Sequence, residues 1–151
     1  MLRTIGGVIV GYLAMFVFVF VTFTIAYLAM GTEGAFKPAS YDVTALWIGV
    51  GFVVSSIAAI IGGFVCAAIA KNSKAPMALA GLVLVLGLLM AIPALMASDS
   101  GPPSVRAGNV SNFEAMQNAK QPGWWCLLNP LIGVAGVMLG ARLKGGGSGS
   151  Q

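Results

Sequence analysis

The side chains able to do chemistry in this chain are few and lie far apart. Two thiols, Cys66 and Cys126, an amide before a proline at Asn129-Pro130, and an adjacent hydroxyl pair, Ser55-Ser56, all fall inside long apolar stretches. A zinc or iron–sulfur site draws on about four ligands. The chain has 2 cysteines and no histidine, so the thiols read as small packing residues, and neither a metal nor a cofactor is expected. A disulfide is not expected either. The chain order puts Cys66 near the inner end of one apolar stretch and Cys126 near the outer end of another.

Asn129 is different. Its amide has more donors and acceptors than its own helix satisfies. Pro130 also lacks an N–H, which frees a carbonyl one turn earlier and loosens the helix. One outcome is a hydrogen bond between helices with a local kink. The other is a polar cavity shared by Asn129, Ser55 and Ser56. Ionisable residues inside a membrane mark function by default, and these stretches hold no Asp, Glu, Lys or Arg. That argues against an enzyme, a proton pump, a voltage sensor and an ion-coupled transporter.

The elements that must position these groups are four apolar runs, at Ile5 to Met30, Ala45 to Ala70, Pro76 to Ala97 and Gly123 to Ala141. A bilayer core takes roughly 20 apolar residues as a helix, the form in which every backbone amide is bonded internally. Hydrophobic residues make up 58% of the chain and charged ones 8%, with a mean hydropathy of +0.94. An ordinary soluble domain carries about 25% charged residues, so this chain cannot clothe a water-facing globule. The expectation is all-α: an integral membrane four-helix up-down bundle forming a single domain over 1–144. The first run is too long for a cleaved signal and is read as a retained span. The tail 145–151 reads as a flexible linker or cloning remnant.

The charges set a topology. Arg3, Lys71, Lys74, Arg142 and Lys144 lie on one side without acidic neighbours. Lys37, Arg106 and Lys120 share the other side with Glu33, Asp42, Asp99 and Glu114. Positive charge marks the cytoplasm, so both termini are expected inside, in a bacterial inner membrane. The formal charge of +4 is dispersed at span ends, a pattern that argues against nucleic acid.

The link at 71–76 is a tight turn with Pro76 in the first turn of the third helix. The loop from Gly31 to Val43 leads into a cap at Ser40, Asp42 or Thr44. In the second outer loop, Gly101-Pro102-Pro103 is extended. Ser111-Asn112-Phe113-Glu114 then fits a capping box, predicting a short amphipathic surface helix over 112–120 that carries Phe113 and Met116 on one side. Trp124 and Trp125 suit the headgroup layer.

Small residues form the clearest pattern within the spans. Gly7 and Gly11 make a GxxxG unit. Gly51, Ser55 and Gly62 recur on the second span, and Gly133, Gly136 and Gly140 on the fourth. Lipid supplies no hydrophobic drive between helices, so association depends on the close backbone approach that such stripes permit. They serve contacts within one bundle or pairing with another subunit. The functional expectation is a non-catalytic accessory subunit, with the lipid bilayer and other membrane subunits, or a second copy, as partners. The alternative is an oligomeric channel or carrier for a small neutral solute.

Overall fold

The computed structural model describes residues 2–99, 105–106 and 108–146. Gly101-Pro102-Pro103 and the tail from Gly147 lie outside the described residues. Five helices form: α1 (Leu2–Ala35), α2 (Ala45–Ala70), α3 (Lys74–Asp99), α4 (Asn112–Asn118) and α5 (Gly123–Gly146). Among the described residues there is no strand, only isolated bridges between loops. Four of the helices are long and apolar enough to cross a membrane, which makes this an integral membrane protein of the four-helix up-down class.

α2 keeps the bounds of its apolar stretch, Ala45–Ala70, whereas α1, α3 and α5 run past theirs, because local chemistry and not hydropathy ends the helices. α1 continues one turn beyond Met30 through a kink at Gly31, whose φ of 68° and ψ of 180° lie where only glycine is unstrained. Lys71 closes α2 in the left-handed conformation, its N–H donating to the Ala67 carbonyl at 3.1 Å. Asn72 then starts α3, its Oδ1 accepting from the amides of Lys74 (3.1 Å) and Ala75 (3.0 Å). Its Nδ2 donates to Thr4 Oγ1 at 3.0 Å, which pins the start of α1 to the α2–α3 turn. Of the three residues considered for the α2 cap, Thr44 takes the role, accepting from Trp47 N at 3.1 Å. α5 carries on through Gly145 and Gly146, so the first part of the expected linker is helical.

Around the bundle the order is α1, α2, α5, α3. α2 packs on both α1 and α5, α5 packs on α3, and α1 and α5 are diagonal, without a close backbone approach. The termini and the 71–73 turn share one end, the terminal end. The loops and α4 share the other, the cap end. In the terminal half the interior is dense: Cys66, Leu79 and Val137 are fully buried, with Tyr12, Met15 and Met138 packed against them. The closest backbone approach lies here. A Cβ on Gly63 would collide with the Val137 carbonyl, and one on Gly140 with the Ile60 carbonyl.

Candidate functional site

The cap half of the bundle is not filled. Facing inward there are Gly51, Ser55 and Ala58 of α2, Gly87 and Ala91 of α3, and Gly133 of α5, all too small to bridge the space between the diagonal helices. A cavity of about 460 Å³ remains. Trp125 bounds it near the cap, where a Cβ on Gly51 would sit 3.3 Å from its ring, and Trp47 packs on Phe23 with ring centres 5.4 Å apart. From Trp47 to Ala58 the helical rise gives a depth of about 16 Å, roughly half of a 30 Å hydrocarbon core.

α1 and α3 form opposite walls. These two helices meet in the terminal half, where Leu79 sits against Gly11, and wall the cavity from opposite sides above that point. Met90 lines it from α3 while 76% exposed. On the α1 side, a second hollow of about 250 Å³ continues from it past the stacked rings of Phe16 and Phe20. Below, the packed terminal half closes it, so the cavity is blind.

The polar groups inside are sparse. Asn129 lines the cavity with its Oδ1 buried and without a hydrogen-bond partner. Such a group costs about 1–3 kcal/mol. Ser55 joins it on the wall. Ser56 does not. One residue further along the helix is about 100° around, and its Oγ donates to the Phe52 carbonyl at 2.7 Å instead. Cys126 also faces the cavity, a turn before Pro130, which has no N–H to offer its carbonyl. Pro130 itself is pressed on Gly87. Gln121 is the remaining amide at the roof, and among the described residues no carboxylate, ammonium or guanidinium lines the space. Trp125, expected in the headgroup layer beside Trp124, is turned inward and only 5% exposed, whereas Trp124 is 59% exposed.

Inside the protomer, the small-residue stripes are occupied. Gly7 abuts Cys66 and Ala70, and Gly11 and Gly62 face each other's carbonyls. Gly133 faces Val83, Gly136 faces Ala59, and Gly140 faces Ile60. Gly63, which the spacing did not single out, makes one of the tightest crossings.

A braced cap roofs the site. Arg106, read from the sequence as a loop charge, is 5% exposed. Its guanidinium donates to Glu33 Oε1 (2.7 Å), the Gly108 carbonyl (2.6 Å) and the Ser40 carbonyl (3.3 Å). Backbone bonds knit the same loops: Lys120 N to the Tyr41 carbonyl at 2.9 Å and Val43 N to the Lys120 carbonyl at 3.2 Å. Tyr27 Oη donates to the Val110 carbonyl at 2.7 Å, and Asn112 Nδ2 to Thr24 Oγ1 at 3.2 Å, tying the second loop to α1. A lone arginine among loop residues has no periodicity to reveal it, so sequence reading missed its role.

α4 is shorter than expected, ending at Asn118, and its capping box closes one way only. Ser111 Oγ accepts from Glu114 N at 3.3 Å, but the Glu114 carboxylate accepts from Tyr41 Oη at 2.8 Å. That bond, with burial second, raises the Tyr41 phenol above its usual 10.0. Ala115 packs inward, while Phe113 and Met116 stand 72% and 55% exposed. Comparison of the chain with protein-family models, curated proteins and solved structures returned no match.

Proposed function

We propose that the protein is a non-catalytic accessory subunit of a bacterial inner membrane, acting through its cap end by association with other membrane helices or with a second copy. The observation that carries this is the cap itself. A buried guanidinium holds two loops in one arrangement, and that arrangement leaves Val105, Phe113 and Trp124 exposed in the second loop, α4 and the first turn of α5. Exposed apolar clusters rimmed by polar residues mark interaction surfaces. Trp124 opens the fourth span, which favours a partner lying alongside in the membrane. With Arg3, Lys71 and Lys144 at the terminal end, that end is the cytoplasmic one.

The test is blue-native electrophoresis and cross-linking in mild detergent, comparing the protein with a Phe113→Ser, Met116→Ser double variant. The protein is expected in a larger assembly that the double variant loses. A strictly monomeric, partnerless species removes the support for this reading, and an assembly indifferent to the two substitutions moves the contact away from the cap.

A second reading, a carrier or holder of a small neutral solute, is favoured by one specific observation: the unpartnered Asn129 Oδ1 in the blind cavity. Because the terminal half is closed by Cys66, Leu79 and Val137, this reading takes the form of a binding site and not of a continuous pore along the protomer.

A further inference from the structure

The geometry points to a defined ligand class for the cap-half cavity: an uncharged, largely apolar molecule that enters between α1 and α3 from the hydrocarbon and donates one hydrogen bond, from a hydroxyl or amide N–H, to Asn129 Oδ1. This rests on the solute-binding reading above.

Four observations converge on it. The first is that Asn129 Oδ1 is an acceptor without a donor, so the complementary group is an O–H or N–H. Charge comes next. No charged side chain lines the cavity among the described residues, so an ion entering it would lose hydration without a counter-charge. The third is the flank between α1 and α3, which wall the cavity from opposite sides through Val19 and Phe23 and through Met90, the last 76% exposed on the lateral surface of a spanning helix. A ligand arriving by that route is already dissolved in the membrane. The last is depth. Asn129 lies six residues into α5, about 9 Å below its first residue by helical rise, so the donor is read well inside the apolar zone. A donor there has no competing water, and the single bond therefore discriminates.

The cavity is also held open by packing. A Cβ at Gly87 would lie 2.6 Å from Pro130 Cγ, and one at Gly133 would lie 2.6 Å from Val83 Cγ1. The helices flanking the space are thus already at their closest approach, and collapse is blocked by Pro130, Trp47 and Trp125.

With the exposed Trp124 replaced (Trp124→Phe), the two cavity tryptophans give a direct test, with 11-bromoundecanol and its methyl ether as matched probes, the bromine quenching Trp47 and Trp125. In the full chain in lipid nanodiscs, the alcohol is expected to quench saturably, with half-saturation about tenfold below that of the ether, the worth of one hydrogen bond of ordinary strength. In Asn129→Leu the two probes are expected to become equal. If that variant does not fold, the alcohol-to-ether ratio in the protein with Asn129 intact decides alone. Equal half-saturation there, or a preference for the ether, overturns the donor assignment while leaving the solute-binding reading in place. Quenching by both probes that rises linearly without saturation overturns that reading as well.

Discussion

Replacing Arg106 with methionine should release the cap without unfolding the spans. Methionine keeps most of the apolar stem and removes all three donations of the guanidinium. The contributions are unequal. Glu33 is 70% exposed, so its ion pair resembles a surface pair and supplies about 0.5 kcal/mol after solvent screening. The bonds to the Gly108 and Ser40 carbonyls come from a charged donor, each worth about 1.5 kcal/mol at the low end of that class. Removing a buried guanidinium also relieves its desolvation, which offsets part of the sum. The net expectation is about 2–3 kcal/mol in the free energy of cap opening, or roughly 30- to 150-fold faster exchange of the amides it protects.

Those amides are Lys120, bonded to the Tyr41 carbonyl, and Val43, bonded to the Lys120 carbonyl. Hydrogen exchange in detergent, read by mass spectrometry on peptides covering the two loops, measures this directly. Peptides from the middle of α2 serve as the internal control. Arg106→Lys should recover only part of the protection, because an ammonium cannot reproduce the fork. The reasoning fails if the loop amides of Arg106→Met exchange at the unaltered rate, or if α2 accelerates equally.

Gly63→Ala should cost about 2 kcal/mol of stability in detergent, since backbone faces it across the α2–α5 crossing, whereas Gly123→Ala should stay within about 1 kcal/mol. The Gly123 neighbour is the far end of the flexible Leu95 side chain, and equal melting temperatures for the two variants would contradict the distinction. The Tyr41–Glu114 bond needs a protonated phenol. Because the folded phenol is raised above 10.0, its stabilisation is complete below that value and disappears as pH climbs through the raised one. Absorbance titration should show Tyr41→Phe removing a phenol that ionises above 10.0, and an unchanged curve would refute it. A membrane-permeant thiol reagent should modify Cys126, which faces the cavity, and spare the fully buried Cys66; labelling of both at similar rates would mean the terminal half is not closed.

The spans were legible in the sequence because lipid imposes a single demand, internal bonding of every amide, and uninterrupted apolar runs answer it. Thr44 and Ser111 were legible for the same reason, since an unpaired helix-start amide calls for a nearby hydroxyl. The bounds of α2 and the start of α5 were legible too, but the overrun of α1, α3 and the end of α5 was not. Gly31, Lys71 and Asn72 act through backbone conformation and short-range bonds that composition does not register. The candidate site was half visible. Asn129 and Ser55 announced themselves as polar residues in apolar surroundings, but Ser56 has the same chemistry and only its helical phase turns it away. Arg106 and Trp125 depended on tertiary geometry, which swings a loop charge and an interfacial ring inward. The cavity is a deficit of volume summed over several small side chains on three helices, a property no single position carries.

The ring order α1, α2, α5, α3 has a consequence for biosynthesis. Chains emerge from the ribosome N-terminus first, so α1 and α2 can zip together through Gly7, Gly11 and Gly62 as soon as both are in the membrane. α3 follows them, yet the helix it packs on most extensively is α5, the last to be made. Between those two moments α3 waits with Gly87 uncovered, and α2 presents Ala59 and Gly63 to lipid on the side that α5 will occupy. The half-made protein is therefore a stable hairpin with a loosely tethered third helix, and α5 acts as its keystone. A chain stopped after Asp99 should keep the α1–α2 hairpin protease-resistant in membranes while its third helix is degraded. Equal resistance of all three helices would show that α5 is not what holds α3.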